Sequence, residues 1–286
     1  MDAAALPAAA RLRAAPAGAV ADRAARWTGR VLLAAGAALV FLPLLLTVFL
    51  SVFDEAILAF PPRGYTLAWY GQILGKFAGP IWTSTEIALA ASVCALLAGV
   101  PAGIGLARYR FRGRGIVSTL LLSPLTVPGV ALGLGIYVFA VWVEENTGAP
   151  LSGSLPILVA AHVLITTPWV VRLCLAGLAN HDRAAEEAAA SLGARPWTVI
   201  WRVTLPAMRP GIVAGALFAF IISFENLEMT IFLVGPGMNT LPNAVLQYLI
   251  YRIDPLVAAV AVVQMALVGA ALVALDRFVR LAQVLK

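Results

Sequence analysis

The sequence is short of charge. Asp, Glu, Lys and Arg make up 12% of its 286 residues, about half the roughly 25% usual in soluble domains. Apolar residues reach 62% and the mean hydropathy is +0.93. Such a chain cannot bury its side chains in one globular core and still clothe itself in polar surface. Cysteine is scarce too. Cys94 and Cys174 each sit inside an apolar run, which excludes a disulfide framework and leaves no metal-ligand spacing. They read as small hydrophobes. His162 and His181 are far apart and form no metal motif. No phosphate-cradling G-x-x-x-x-G-K-[ST] loop occurs anywhere in the chain.

What is present is apolar sequence in membrane-length runs of roughly 20 residues. Residues 1–30 are Ala/Arg-rich with no apolar period and read as a flexible cytoplasmic tail. An Arg-rich start before an apolar run can mark a signal peptide, but 31–53 is too long for one and lacks a cleavage site. Further runs at 81–107, 115–143, 155–178, 211–234 and 256–279 complete six predicted transmembrane helices within a domain of residues 31–286. Helices are required because hydrocarbon leaves no partner for an open strand edge.

The few charges fix the orientation. Arg11, Arg13, Arg23, Arg26 and Arg30 precede the first run. Arg108, Arg110, Arg112 and Arg114 separate the second from the third, and Arg183, Arg195, Arg202 and Arg209 the fourth from the fifth. Arg277, Arg280 and Lys286 follow the last. The alternate loops hold only Arg63, Lys76 and Arg252. Basic residues stay on the cytoplasmic side, so both termini lie inside. This explains the net charge of +6 by topology. It excludes a nucleic-acid partner, which would need the bases gathered on one soluble face.

The runs carry marks of their own. Gly99 and Gly103, and Gly129 and Gly133, have the small-xxx-small spacing of close helix packing, within the chain or at a dimer seam. Pro124 and Pro128 each remove a helix hydrogen bond, so the third span is kinked and lines something other than lipid. Glu225 and Glu228 lie in the fifth run at a spacing that shares one helix face, and Glu86 lies early in the second. A buried acid costs about 2.5–3.5 kcal/mol on insertion. At 1.5 Å per residue Glu225 stands about 20 Å above the inner side and Glu86 about 7 Å below the outer. The acids are therefore able to meet in an outward-opening cavity. The alternative is structural satisfaction by neighbours such as Thr85 and Asn226. Trp142, Glu144 and Glu145, at the outer end of the third run, read as an interfacial aromatic with solvated acids.

Between the fourth and fifth runs, residues 182–206 have a separate grammar. Asp182 suits an N-cap, 184–192 are strong helix formers, and Gly193 suits a left-handed C-terminal stop. Pro196 suits the start of a second short helix, ended by Leu205-Pro206, with Pro210 opening the next span. Leu192, Trp197, Ile200 and Trp201 stand among Glu186, Glu187, Arg195 and Arg202. Two readings fit: an amphipathic element on the inner leaflet, or a bent plug for a protein socket.

Glu187-Ala188-Ala189, then Gly193, then Val203-x-Leu205-Pro206 resembles the EAA signature of permease subunits of binding-protein-dependent ABC importers. Val203 stands where that pattern has Ile or a similar residue. "ARYRFRG" at 107–113, "SPLTVPGVALGLGIY" at 123–137 and "SFENLEMTIFLVGPGMNTLP" at 223–242 are similar to spermidine/putrescine-type permeases, in particular the PotC-like one. The resemblance covers nearly the whole chain. It implies a six-helix, MetI-like fold in the bacterial inner membrane. It implies that Glu186, Glu187, Ala188, Ala189, Gly193, Val203, Leu205 and Pro206 couple the chain to a cytoplasmic ATPase dimer. ATP and Mg²⁺ would be bound there and not on this chain. It further implies a second permease subunit and a periplasmic solute-binding protein as partners. Glu225, Asn226, Glu228 and Glu86 would line the path of a cationic solute such as a polyamine, with Pro124 and Pro128 at a gate. Two other classes are set against this. A secondary transporter using intramembrane Glu as proton carriers is one, and an intramembrane enzyme the other. No clear repeat of halves supports the first, and no nucleophile–base or metal set supports the second.

Overall fold

The computed structural model describes residues 17–55, 61–179 and 182–284, with side chains over 25–55, 61–179 and 182–277. Among the described residues eleven α-helices follow one another, and the only β-pairing is an isolated bridge between Phe53 and Tyr65. Helix α1 runs over Ala17–Leu50, so the part of the expected tail from residue 17 onward is helical. The rest of that tail, like His181, lies outside the described residues. Helix α2 covers Ala68–Arg108, beginning 13 residues before the apolar run, and takes Pro80 and Pro101 into its interior.

The third span is kinked, as its prolines require, and more sharply than a single bent helix. Helix α3 (Arg114–Leu122) passes into a 3₁₀ turn at Ser123–Leu125, and α4 (Gly129–Thr147) leaves at 101° to it. Among the described residues five helices are long and apolar enough to cross a membrane, or six if this bent pair is one crossing. Charge decides for six. Without that crossing α5 would run the other way, and Arg183, Arg195, Arg202 and Arg209 would sit outside, against the positive-inside rule.

Helix α5 (Leu155–Ala179) and α8 (Leu205–Phe224) pack with α2 as the central trio, while α11 (Pro255–Val284) and α1 lie around it. The trio closes through glycine. A Cβ on Gly99 would stand 2.8 Å from Val170, and one on Gly103 would stand 2.9 Å from Cys174. Gly133 meets the Met229 carbonyl at 2.7 Å in the same sense. The small-xxx-small pairs therefore serve packing within the chain, as close helix approach demands. Three apolar clusters result. Ile73, Phe77, Leu241 and Leu256 close the outer end, Val170, Cys174 and Met208 fill the inner half, and Ile87, Leu158, Met229 and Leu233 lie between.

Candidate functional site: a cytoplasmic elbow and an unwound outer turn

The elbow starts with α6 (Ala184–Ser191). Arg183, not the expected Asp182, is the N-cap of this helix; Asp182 stands one position earlier, where its Oδ1 accepts the Ala184 N–H at 3.0 Å. At the other end Gly193 takes φ +82°. Its N–H bonds Ala190 O, and Ala194 N–H reaches back to Ala189 O. That pair of bonds is a Schellman stop, which needs the left-handed residue that glycine supplies.

The second half differs from expectation. Helix α7 (Pro196–Val199) does not end at Leu205-Pro206. It passes through a π-turn at Ile200–Thr204 directly into α8, so 196–224 is one membrane-length element and Pro210 lies inside it. The π-turn explains how Pro206 is carried. Leu205 N–H bonds Ile200 O, five residues back. The wider turn reassigns the acceptors around the missing proline N–H, a common use of a π-bulge.

The elbow is anchored from one side and open on the other. Glu186 Oε1 lies 3.0 Å from Arg108 Nη2 at the end of α2, and both side chains are largely buried, at 11% and 14% exposure. Arg108 Nη2 and Nε make no directed hydrogen bond among the described residues, so the contact is one of charge. Thr204 in the π-turn donates to the same Glu186 oxygen at 3.0 Å, and Arg183 donates to the Arg108 carbonyl at 3.2 Å. Glu187 and Leu192 are exposed, Leu192 at 90%. Ala188 is exposed and Ala189 half-buried, and Val203, Leu205 and Pro206 are half-buried in the anchored half. Trp197 and Trp201 meet edge to face and, with Leu97, Pro101 and Tyr109, line an apolar groove of about 390 Å³. The elbow thus has a polar-rimmed tip and a separate aromatic flank of the kind favoured at a membrane interface.

At its outer end α8 stops at Phe224, and Glu225 is its C-cap. Residues 225–229 are unwound before the short α9 (Thr230–Leu233). Glu225 and Glu228 therefore do not share a helix face. Asn226 explains the break: its side-chain oxygen accepts the N–H groups of Met229 and Thr230, both at 3.3 Å, and the Thr230 hydroxyl at 3.1 Å. Such side chains compete with the helix for backbone donors. The two acids then part. Glu225 lines a cavity of about 340 Å³ between α2, α8 and α11, where Gln264 donates to its oxygens at 3.2 and 3.4 Å. Ile81, Thr85, Phe220 and Phe224 supply the walls. Glu228 instead lies over the first residue of α4: a Cβ on Gly129 would fall 2.6 Å from its Oε2. A carboxylate at a helix N-terminus is favoured by the dipole. Glu86 faces away from the chain's own packing, on an exposed stripe of α2 with Trp82, Leu89, Val93 and Leu97. One acid of the three lines the cavity. The prolines Pro124 and Pro128 flank the 101° bend.

Residues that sequence reasoning did not single out complete both sites. In sequence Arg108 reads as an inner charge within the ARYRFRG stretch, and Gln264 carries no signal. His162 has no metal motif in sequence; in the fold it is 1% exposed and hydrogen-bonded at both ring nitrogens.

The chain is thus a bundle of kinked membrane-length helices with an anchored cytoplasmic elbow. Residues 99–281 match the family described as binding-protein-dependent transport system inner membrane component, and the chain belongs to that family. It is a multi-pass inner-membrane permease of the ABC importer class, a transport component and not an enzyme. It is 32% identical over 242 residues to the putrescine transport system permease protein PotI of Escherichia coli, covering 84% of this chain and 86% of that one. It is 35% identical over 199 residues to the molybdenum transport system permease protein ModB of Mycobacterium tuberculosis, covering 67% and 75%. The fold is similar to a bacterial ABC transporter involved in alginate import, with TM-score 0.64, 16% identity and coverage of 90% of this chain and 97% of that one. It is likewise similar to the MetNI methionine transporter, with TM-score 0.61, 19% identity and coverage of 73% and 97%. These neighbours share the MetI-like fold.

Proposed function

We propose that this chain forms half of the translocation path for a small organic cation of the polyamine class. A second permease subunit supplies the other half, a periplasmic binding protein delivers the solute, and a cytoplasmic ATPase dimer drives the cycle. The observation that carries the solute reading is Glu225, a carboxylate on the wall of a mostly apolar cavity whose other polar lining groups are the neutral Gln264 and Thr85. An amine with an alkyl body suits such a wall, since the carboxylate meets the charge and Phe220 and Phe224 meet the methylenes. An oxyanion would meet like charge there. The likeness to PotI supports this choice over the likeness to ModB.

The elbow is the coupling element. Glu186 is spent on Arg108, which leaves Glu187, Leu192 and the Gly193 bend free for a socket on the ATPase. ATP and Mg²⁺ are bound on that separate subunit. Closure of the ATPases moves the elbow, and because 196–224 is one continuous element, the movement reaches the outer turn directly. The 101° break after Pro124 and the unwound 225–229 turn form the gate.

Uptake of labelled putrescine by cells carrying the assembled transporter tests the solute reading. Glu225→Gln is expected to lower it about tenfold without changing protein level; unchanged kinetics remove the cation role. Co-purification tests the coupling reading. Glu187→Arg or Gly193→Asp is expected to lose the ATPase or to uncouple hydrolysis from uptake. Normal assembly and uptake in both variants would assign the elbow to the lipid surface instead.

A further inference from the structure

The unwound turn between α8 and α9 needs a brace, because backbone groups freed at membrane depth find no bulk water. Asn226 holds it from within. The other support comes from α5. His162 Nδ1 lies 2.7 Å from Ser223 Oγ, in the last turn of α8, and Nε2 lies 3.1 Å from Thr230 Oγ1, the first residue of α9. One imidazole therefore spans the break. All three side chains are buried, at 1%, 3% and 0% exposure.

The sense of each bond follows from proton counting. Thr230 has one hydroxyl hydrogen, and it goes to Asn226 Oδ1, which only accepts. Thr230 Oγ1 therefore accepts from the ring, and Nε2 carries the proton. A charged ring is disfavoured in a site 1% exposed with only neutral hydroxyl partners; on the neutral ring Nδ1 is then the acceptor, and Ser223 donates to it. An imidazole suits this place because it presents a donor and an acceptor on opposite edges of one rigid ring. A leucine of similar bulk would leave both hydroxyls without this partner.

We propose that His162, as the neutral Nε2–H tautomer, is the positioning residue of the solute pathway. It sets the width and angle of the break, so that Glu225 turns to the α2–α8–α11 cavity and Glu228 to the start of α4. What Glu225 does there rests on the cation reading above. The brace and its tautomer do not.

The first test is nitrogen NMR on the full-length, ¹⁵N-histidine-labelled protein in lipid nanodiscs, with His181→Asn leaving His162 as the single histidine of the native sequence. The expected spectrum is that of the Nε2–H tautomer; an Nδ1–H or doubly protonated ring overturns the proposal. Thr230→Val should abolish that tautomer preference, and an unchanged pattern in this variant also overturns it. The second test is uptake in the assembled transporter. His162→Ala is expected to lower cation uptake about as far as Glu225→Gln, near tenfold, and the double variant to fall no further. Losses that multiply to about a hundredfold would make His162 a general packing residue and overturn the positioning role. Should His162→Ala fail to accumulate, Ser223→Ala removes one end of the brace and takes its place in the same cycle. Normal uptake with Glu225→Gln alone would defeat the cation reading, and the tautomer would then decide the brace by itself.

Discussion

At its inner end α8 meets a proline and continues; at its outer end it meets none and stops. Pro206 is carried because the π-turn lets Leu205 reach back to Ile200, and because Thr204 is tied to the Glu186–Arg108 pair. The stretch from Glu225 to Met229 is unwound because Asn226 takes the backbone donors and His162 spans the gap. Continuity of a membrane helix is thus decided by which partners surround its polar groups, more than by whether a proline is present. The two ends also differ in kind: a charge pair holds the inner one, neutral hydrogen bonds the outer.

That contrast can be broken from either side. The largest effect is expected at the inner end. Glu186→Ala strands the Arg108 guanidinium in a mostly buried site and should cost about 3 kcal/mol or more. It should appear as a large drop in thermal stability of the purified protein, and an unchanged melting curve would show that solvent already relieves the pair. Asn226→Leu should come next. It removes an acceptor of three hydrogen bonds and is expected to cost about 2 kcal/mol, with proteolysis increasing in the 225–233 region. Gly193→Ala comes third: at φ +82° a Cβ costs about 1 kcal/mol, while the space around it is empty. Melting and ATPase co-purification should separate strain from lost docking. Leu192→Ala sharpens the comparison with the least change. At 90% exposure it should alter stability by no more than about 0.5 kcal/mol. A partial loss of ATPase binding in that variant would place the contact at the tip.

The spans and their orientation were legible because each depends on a local run and on charges adjacent to it. The elbow was legible as far as Gly193 for the same reason, since a cap and a Schellman stop are closed by residues within six positions of one another. Legibility failed where distant chain segments decide. Nothing near Glu186 announces Arg108, and the expectation that Leu205-Pro206 ends a helix weighed proline alone, without the five-residue reach of the π-turn. The shared face of Glu225 and Glu228 failed because Asn226 and His162 end the helix one residue before the first of them. His162 carries no local signal because its partners are two hydroxyls on other elements, Ser223 and Thr230.

The length of α2 carries a mechanical implication. Forty-one residues at 1.5 Å each make a beam of about 60 Å, roughly double the hydrocarbon thickness. One tip is wedged among α10 (Leu241–Tyr251) and α11 through Ile73 and Phe77, and the other grips the elbow through Arg108. Under the coupling role proposed above, a nudge delivered in the cytoplasm would reach the periplasmic cap as a tilt of the same rod, which carries Pro80 and Pro101 in its interior.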